Sequence, residues 1–197
     1  WDTPVLSGKN VAVIGGGNTA MDSVRTARRL GAERAMIIYR RSEDEMPARK
    51  EEVEHAKAEG VEFMTLHNPI EYLGDENGKV KAMRLQRMEL GEPDASGRRS
   101  PVAVEGKFET LEVDNVICAI GQKVNVAGFE EIELNPWGII SADERYFTTS
   151  LEGVFAVGDA TNKGASIAID AIGEANKAAN VIDGYLNEFH QAINDDL

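Results

Sequence analysis

Three small residues, Gly15, Gly17 and Ala20, fit the spacing G-x-G-x-x-G/A. In this pattern the first glycine permits a tight turn and the second lets a pyrophosphate approach the backbone. The third small residue lets a helix pack closely against a strand. Asn18 and Thr19 add side-chain donors, and a helix beginning here offers free N–H groups to phosphates. The pattern predicts a dinucleotide site; the alternative is a glycine turn in another kind of α/β protein.

Two arginines, Arg40 and Arg41, stand where the second half of such a site is expected. NAD-type sites place an acid about 20 residues past the glycines, where it holds the ribose 2′-OH. A planar, always charged guanidinium instead suits a 2′-phosphate. The pair therefore predicts NADP(H) in preference to NAD(H). The alternative is two solvated arginines, which the acids at 43–45 could neutralise.

Alternating strands and helices over the first 66 residues would position these groups. The parallel sheet and right-handed crossovers that this order implies place the strand ends on one edge. The predicted elements are strand Asn10–Ile14, helix Asn18–Leu30 stopped by Gly31, strand Arg34–Arg40, a helix opened by Pro47 and ending at Gly60, and strand Val61–Leu66.

The middle of the chain changes character and predicts an antiparallel three-stranded meander within the next crossover. Its expected strands are Ile70–Leu73, Val80–Leu90 and Phe108–Val113, with a turn at Asp75–Gly78 and a loop over Gly91–Pro101. The run Val116–Ile120 is apolar throughout, which is typical of a central strand. We place a domain boundary near Gly121–Val126.

The last third predicts two short strands, Gly138–Ala142 and Val154–Val157, before a long helix over Ser166–Phe189. Helical spacing places six apolar residues on one face, which we expect to be packed. They are Ala168, Ala171, Ile172, Ala175, Ala179 and Ile182.

Composition excludes several classes of function. Lys and Arg number 21 against 34 Asp and Glu, a net charge of −13, which disfavours nucleic acid as a partner. No apolar run is long enough to cross a bilayer, and the first residues lack the layout of a signal peptide, so we expect a cytoplasmic protein. Cationic and anionic residues number 10 each in the first 60 residues but 4 and 13 from residue 121 onward, so an anionic ligand is expected in the first third.

The chain has one cysteine, Cys118, and three scattered histidines, His55, His67 and His190. One cysteine excludes internal disulfides, Cys-x-x-Cys redox chemistry and iron–sulfur ligation by this chain, and no metal site is predicted. Because Cys118 falls in an apolar strand, we expect it to be buried in the core.

Several longer runs carry a family resemblance: GGGNTAMDSVRTARRLGA, IIYRRSEDEMPARKEEVEHAKAEGV, VICAIGQ and VFAVGDATNKGASIAIDAIGEANKAANVIDGYL. Over nearly its whole length the chain resembles the glutamate synthase small (beta) subunit family of the pyridine nucleotide-disulfide oxidoreductase superfamily. The resemblance implies an NADPH-dependent FAD oxidoreductase that passes electrons to an iron–sulfur partner. The implied fold is α/β, with a Rossmann-like parallel sheet, crossover helices and an antiparallel meander. It implies an NADP(H)-binding domain at 1–122 and the C-terminal segment of a split FAD-binding domain at 123–197.

The resemblance also assigns roles to positions of this chain in the first domain. The residues it assigns to binding of the NADPH pyrophosphate are Gly15, Gly17, Asn18, Thr19 and Ala20. It assigns Arg40 and Arg41 to binding of the 2′-phosphate. Glu52 stands where related reductases keep an acid near the nicotinamide ribose; the alternative is a solvated helix face shared with Glu51 and Glu54.

For the flavin, the resemblance assigns Gly158 and Asp159 to the ribityl chain, and a helix start including Ala165, Ser166 and Ile167 to the pyrimidine end. A helix N-terminus there favours negative charge on reduced flavin. Gly121 ends the strand where the chain returns from the NADPH domain to the FAD domain. Val124 departs from the family, which usually has proline there.

This sequence holds a single G-x-G-x-x-G/A pattern and no cluster ligands. The resemblance therefore implies an N-terminal FAD and iron–sulfur half as a partner, and FAD binding by this chain alone stays open. A glutamate synthase large subunit, a ferredoxin-like acceptor and another cluster protein are all left open as acceptors. Residues 123–197 alone make a small domain, so we expect packing against the first domain or pairing between chains, as in a homodimer.

Our leading hypothesis is the NADPH-binding portion of an enzyme in which hydride passes from nicotinamide to flavin. No catalytic acid or base is named, because the cofactors carry the chemistry. The alternative is a non-catalytic NADP(H)-binding module that senses nucleotide or docks a partner. A third hypothesis is an α/β domain that binds no cofactor. It requires that the glycine loop, the arginine pair and Gly158-Asp159 occur together by coincidence.

Overall fold

The structure, a computed structural model, describes residues 8–94, 97–161 and 167–195, with only the backbone from 188 onward. The chain divides into two compact units, Trp1–Ile120 and Gly121–Leu197. No helix in the described ranges is both long and apolar enough to cross a membrane.

The first unit contains a four-stranded parallel sheet of order β3-β2-β1-β7. Its elements are β1 Asn10–Ile14, α1 Asn18–Arg29, β2 Arg34–Tyr39, α2 Lys50–Ala58, β3 Glu62–Thr65 and β7 Asn115–Cys118. The predicted alternation of parallel strands and crossover helices is confirmed. The strand order reverses direction beside β1, and ligands of open α/β sheets bind at the carboxyl ends of the strands at such a point.

A second, antiparallel sheet of order β4-β5-β6 lies in the crossover from β3 to β7, as the meander prediction requires. Its strands are β4 His67–Gly74, β5 Val80–Pro93 and β6 Arg99–Glu112. Alternate residues of the parallel strands enter two separate cores. Val11 and Val13 pack with α1 and α2, whereas Ala12 and Ile14 pack with Met83 of the meander and its neighbours.

Several boundaries in the first unit differ from prediction. The second helix begins at Lys50 rather than at Pro47, after a short 3-10 turn over Glu43–Glu45. The predicted loop Gly91–Pro101 is mostly strand, because β5 and β6 stay paired up to Pro93 and Arg99. Turn-forming residue types in that stretch suggested an earlier break than the cross-strand pairing allows.

The prediction that Val116–Ile120 is a buried central strand is wrong in two respects. The strand ends at Cys118 and forms an edge of the sheet that the described residues build. Ile120 is 74% exposed, and Cys118 is exposed rather than buried in the core. An apolar run indicates a strand, but its position in the sheet depends on which other strands pair with it.

The second unit contains α3, which spans Ala168–Asp195, and a 3-10 turn over Gly158–Ala160. The two predicted short strands there are wrong: the described residues form isolated bridges, Leu134 with Ile140 and Thr148 with Phe155. These pairings join single residues and do not extend into ladders.

The face of α3 that is buried in the structure is not the face predicted from the sequence. Ala178 is buried and Tyr185 meets Phe155 edge to face, with ring centroids 5.6 Å apart. Of the residues predicted to be packed, Ala171 and Ile182 are half-buried. The others are exposed: Ala168, Ile172, Ala175 and Ala179. Several helical faces of α3 are apolar, so spacing alone did not select the buried one.

Candidate functional site

The glycine loop that follows β1 is packed tightly by its own neighbours. The Gly15 N–H donates to the Ile38 carbonyl at 3.0 Å, and Gly15 has a φ of +140°. A Cβ at Gly15 would lie 2.2 Å from the Ala119 carbonyl oxygen. A Cβ at Gly16 would lie 2.7 Å from the Tyr39 ring. These two glycines are therefore required by the fold itself.

Gly17, the N-cap of α1, differs because neither a positive φ nor close packing requires a glycine there. Its φ of −91° and ψ of 176° suit any residue. A Cβ at Gly17 would meet only Pro47 Cγ, at 4.0 Å. The space beside Gly17 is thus open at the N-terminus of α1, as close approach of a ligand would require.

The first turn of α1 presents unsatisfied donors next to that space. The N–H groups of Ala20 and Met21 donate to the Gly17 carbonyl at 3.0 and 3.1 Å. The N–H groups of Asn18 and Thr19 have no acceptor among the described residues, and the first turn holds no acidic residue. Free N–H groups and the helix dipole favour an anion here.

Asn18 also ties the glycine loop to the segment before α2. Its Oδ1 accepts a hydrogen bond from the Arg49 N–H at 3.0 Å, which leaves its amide N–H groups as the donors for a ligand. The Ala48 N–H donates to the Gly16 carbonyl at 3.0 Å. Segment 46–49 is therefore held against the glycine loop by two hydrogen bonds.

The two arginines after β2 do not form the paired clamp expected from sequence. Arg40 is exposed and has no hydrogen-bond or ion-pair partner within the described ranges. Arg41 is only 5% exposed, and its Nη2 lies 2.5 Å from Asp94 Oδ2. Its Nε donates to the Arg99 carbonyl at 2.7 Å. A buried guanidinium needs a countercharge and acceptors, and the β5–β6 hairpin supplies both to Arg41.

The acids that follow the arginines are largely engaged elsewhere. Glu43 pairs with Lys57 at 2.5 Å, and the Glu45 carboxylate accepts a hydrogen bond from the Ser42 hydroxyl. Neither is paired with Arg40. Neutralisation of Arg40 by these two acids, the alternative raised by the sequence, is therefore absent from the structure.

Glu52 lies at the interface of α1 and α2. It pairs with Arg25 at 2.8 Å, and Arg25 also reaches Glu59 at 3.0 Å. The Glu52 side chain is only 22% exposed. The Glu52 carboxylate is therefore held in an ion pair between α1 and α2 and is not a fully solvated surface acid. Its predicted place near the nicotinamide ribose stays a prediction.

Glu59 completes this network of ion pairs, and its pKa is strongly lowered. Hydrogen bonds from Arg29 and Arg25, with their charges, lower the pKa of Glu59 to about 2 against the opposing effect of burial. The Arg29–Glu59 contact measures 2.5 Å. The cluster of Arg25, Arg29, Glu52 and Glu59 holds α1 against α2 behind the glycine loop.

The predicted flavin residues of the second unit are only partly described. Gly158 has a φ of +69°, and its N–H donates to Glu174 Oε2 at 2.7 Å. Asp159 is exposed on the same 3-10 turn, and Ile167 is 64% exposed. Ala165 and Ser166 lie outside the described residues. The flavin assignment of these residues stays a prediction.

Gly121 begins the second unit, is exposed and has a φ of +85°. Nothing lies within 4 Å of the position that a Cβ would take there, so only its backbone conformation favours glycine. Its predicted place at the return between the two domains stays a prediction.

Sequence reasoning missed three residues that build these sites: Tyr39, Asp94 and Glu174. The middle of the three consecutive glycines, Gly16, was a signal that a large side chain crosses the loop. No local signal marks Asp94 or Glu174, because each acts on residues distant in the chain.

Fold and loop geometry together define a dinucleotide-binding α/β protein. The family model for pyridine nucleotide-disulphide oxidoreductases matches residues 2–179, and the chain belongs to that family. It is 47% identical over 94% of its length to the beta subunit of an NADP(+)-dependent formate dehydrogenase from Moorella thermoacetica. It is 41% identical over 91% of its length to the glutamate synthase [NADPH] small chain of Azospirillum brasilense.

The chain spans only part of these proteins, 26% of the first relative and 37% of the second. Thioredoxin reductase from T. acidophilum shares the fold, with a TM-score of 0.71 and 23% sequence identity. That match covers 89% of this chain and 52% of the reductase. The expected α/β fold, with its parallel sheet and antiparallel meander, is confirmed.

Proposed function

We propose that the first unit binds NADP(H), with the pyrophosphate at the N-terminus of α1 and the 2′-phosphate at Arg40. The observation that carries this proposal is that, among the described residues, the Arg40 guanidinium and the first N–H groups of α1 after the glycine loop have no partner. Arg40 lies two residues beyond Ile38, whose carbonyl accepts the Gly15 N–H. The amides of Asn18 and Thr19 and the open space at Gly17 suit the pyrophosphate.

Electrostatics favour this single-arginine site over one built for NAD(H). An acid at the end of β2 would bind the 2′-OH and repel a 2′-phosphate, whereas Arg40 attracts the phosphate. Because Arg40 is exposed, its contribution depends on salt and is strongest when the bound phosphate excludes water.

In the intact protein, we propose that the chain serves an NADPH-dependent flavin oxidoreductase. NADPH supplies a hydride and FAD accepts it; the residues of this chain bind and orient the two cofactors. Support comes from the family match and from relatives whose names specify NADP(+) or NADPH. Because those relatives are named as a beta subunit and a small chain, we further propose that the chain acts with a partner subunit. An iron–sulfur centre as acceptor and a cytoplasmic location belong to the same proposal.

Tight FAD binding is proposed to require protein beyond this chain. Asp159 offers a carboxylate for the ribityl chain, but this sequence holds no second glycine loop for the FAD pyrophosphate. Ile169 and Ile172 on α3 are 71% and 60% exposed, as expected of a surface that further polypeptide covers. Flavin fluorescence titration should show weak binding that Asp159→Asn abolishes. Equal binding by that variant would contradict the role of Asp159.

Calorimetric titration with NADP+ and NAD+ tests the nucleotide proposal. The chain should prefer NADP+, and Arg40→Ala should lower NADP+ affinity by about 10-fold to 100-fold, as loss of a charge-assisted hydrogen bond predicts. NAD+ binding should not change. Arg34→Ala, which removes an exposed arginine at the other end of β2, is the matched control. Equal affinity of the unaltered chain for both nucleotides would overturn the proposal.

A further inference from the structure

Arg41 joins the end of β2 to the antiparallel sheet at three points. Its guanidinium contacts the Asp94 carboxylate at 2.5 Å and the Arg99 carbonyl at 2.7 Å. Its own carbonyl accepts the Leu66 N–H at 3.0 Å. Leu66 has a φ of +57°, a left-handed conformation that marks the turn from β3 into the meander. Arg41 is thus fixed at both its side chain and its backbone.

The residue on the other side of Arg40 is fixed as well. The Tyr39 ring packs against Gly16, and its hydroxyl donates to the Glu45 carbonyl at 2.9 Å. Arg40 therefore lies between two anchored residues, one held by the glycine loop and one by the β5–β6 hairpin. The backbone position of Arg40 is set from both sides, while its side chain has no partner in the part of the chain that the structure describes.

We propose that Arg41 and Asp94 form a latch that positions Arg40 for the 2′-phosphate, so that Asp94 helps to determine the preference for NADP(H) over NAD(H). This inference rests on the proposed function of the first unit. Arg41 and Asp94 are positioning residues in it, because they act through the placement of Arg40. A carboxylate on the meander would thereby control recognition at the edge of the parallel sheet.

The latch and a direct clamp predict opposite effects of removing Asp94. If Arg41 were itself a phosphate ligand, Asp94→Ala would release its guanidinium and remove a nearby negative charge. NADP+ would then bind more tightly. If Arg41 is a latch, Asp94→Ala frees the segment that carries Arg40, and NADP+ binds more weakly.

The experiment is calorimetric titration of the full chain and its Asp94→Ala variant with NADP+ and with NAD+. We expect NADP+ affinity to fall by about tenfold, a part of the loss expected for Arg40→Ala, while NAD+ affinity stays unchanged. NAD+ binding serves as the control for folding, since general damage would weaken both nucleotides. Asp94→Glu, which keeps the carboxylate, should recover much of the preference.

A matched control breaks a similar ion pair elsewhere on β2. Arg34 and Glu62 form a two-point pair at the start of β2 and β3, so Glu62→Ala should leave the nucleotide preference unchanged. If Asp94→Ala does not fold, Asp94→Asn retains an acceptor oxygen and should show a smaller loss in the same direction.

The outcomes separate the latch from the proposed function. Unchanged or tighter NADP+ binding by Asp94→Ala, with the preference still abolished by Arg40→Ala, would overturn the latch and leave the proposed function standing. Equal binding of NADP+ and NAD+ by the unaltered chain would overturn the proposed function and, with it, the latch. Selective loss of NADP+ affinity in Asp94→Ala supports the latch.

Discussion

Asn18 and Arg49 are joined by a hydrogen bond of 3.0 Å from the Arg49 N–H to the Asn18 side-chain oxygen, which links the start of α1 to the start of α2. Asn18→Ala leaves that N–H without its acceptor. Because the site is exposed and water can replace part of the bond, we expect a loss of about 0.5–1 kcal/mol in the free energy of unfolding. Urea unfolding measures it.

Hydrogen exchange of the Arg49 amide gives a second readout for this bond. Exchange should quicken in Asn18→Ala and stay unchanged in the control Ser23→Ala, which removes a hydroxyl bonded within α1 at 2.7 Å. Unaltered protection of the Arg49 amide would show that the bond does not hold the segment.

Gly15 and Gly17 should respond to alanine with very different losses of stability, although both belong to the motif. Gly15→Ala places a Cβ 2.2 Å from a backbone carbonyl at a φ of +140°, so we expect a loss of about 2 kcal/mol or more. Gly17→Ala is compatible with its backbone and should change stability by less than about 1 kcal/mol, because the entropic advantage over glycine is opposed by the preference for glycine over alanine at an N-cap. NADP+ affinity should nonetheless fall, because the methyl group occupies the proposed pyrophosphate space.

Thermal unfolding and calorimetric titration of the two variants check this contrast. Normal NADP+ binding by a folded Gly17→Ala chain would show that the open space beside α1 is not where the nucleotide lies.

Local sequence patterns predicted the features that depend on neighbouring residues. The alternation from Asn10 to Leu66 gave the parallel sheet, and the glycine spacing gave the strand-to-helix turn. The turn at Asp75–Gly78 placed the first hairpin of the meander correctly, because Asp75 accepts hydrogen bonds from the backbone of Asn77 and Lys79. In each case the determining interactions lie within a few residues.

Features set by distant residues could not be predicted in this way. The separation of Arg40 from Arg41 depends on Asp94, which belongs to another sheet. The place of Glu52 depends on Arg25, on a different helix. The exposure of Cys118 depends on the absence of a further strand beside β7 in the described sheet. Sequence spacing carries no information on such partners.

Glu59 should make the stability of the first unit depend on pH in the acidic range. Its pKa is lowered to about 2 in the folded chain, below its ordinary value of 4.5. The stabilisation is therefore complete above about pH 4.5 and is lost as the pH falls towards 2. Glu59→Gln should be less stable than the unaltered chain at neutral pH, and the difference should shrink through that acidic range.

Urea unfolding at several pH values from neutral to about pH 3 measures this difference. Glu54→Gln is the matched control, because Glu54 is exposed on α2, the helix that Glu59 directly follows, and has no partner among the described residues. A difference between Glu59→Gln and the unaltered chain that stays constant with pH would contradict the assigned cause.

Glu174 should stabilise the turn that carries Asp159. Its carboxylate accepts the Gly158 N–H at 2.7 Å, and Gly158 is buried. Glu174→Ala should expose that amide to exchange and lower stability by about 1–2 kcal/mol, as loss of a charged acceptor predicts. Hydrogen exchange of the Gly158 amide measures the effect.

The control is Asp183→Ala, which removes an acid elsewhere on α3 and should leave the Gly158 amide protected. Equal exchange in the two variants would count against Glu174 as the acceptor of that amide.

Cys118 should react with a disulfide-exchange reagent in the folded protein. It lies at the end of edge strand β7 and is exposed, whereas the apolar sequence around it predicted a buried thiol. Burial and the neighbouring Cys118 thiol raise the pKa of the Tyr72 phenol. We therefore expect one equivalent of thiol to react without denaturant, and Tyr72→Phe to change the rate but not the extent. Since the chain has a single cysteine, Cys118→Ser provides the blank. Reaction only after unfolding would mean that β7 is covered in solution and that the sheet continues beyond it.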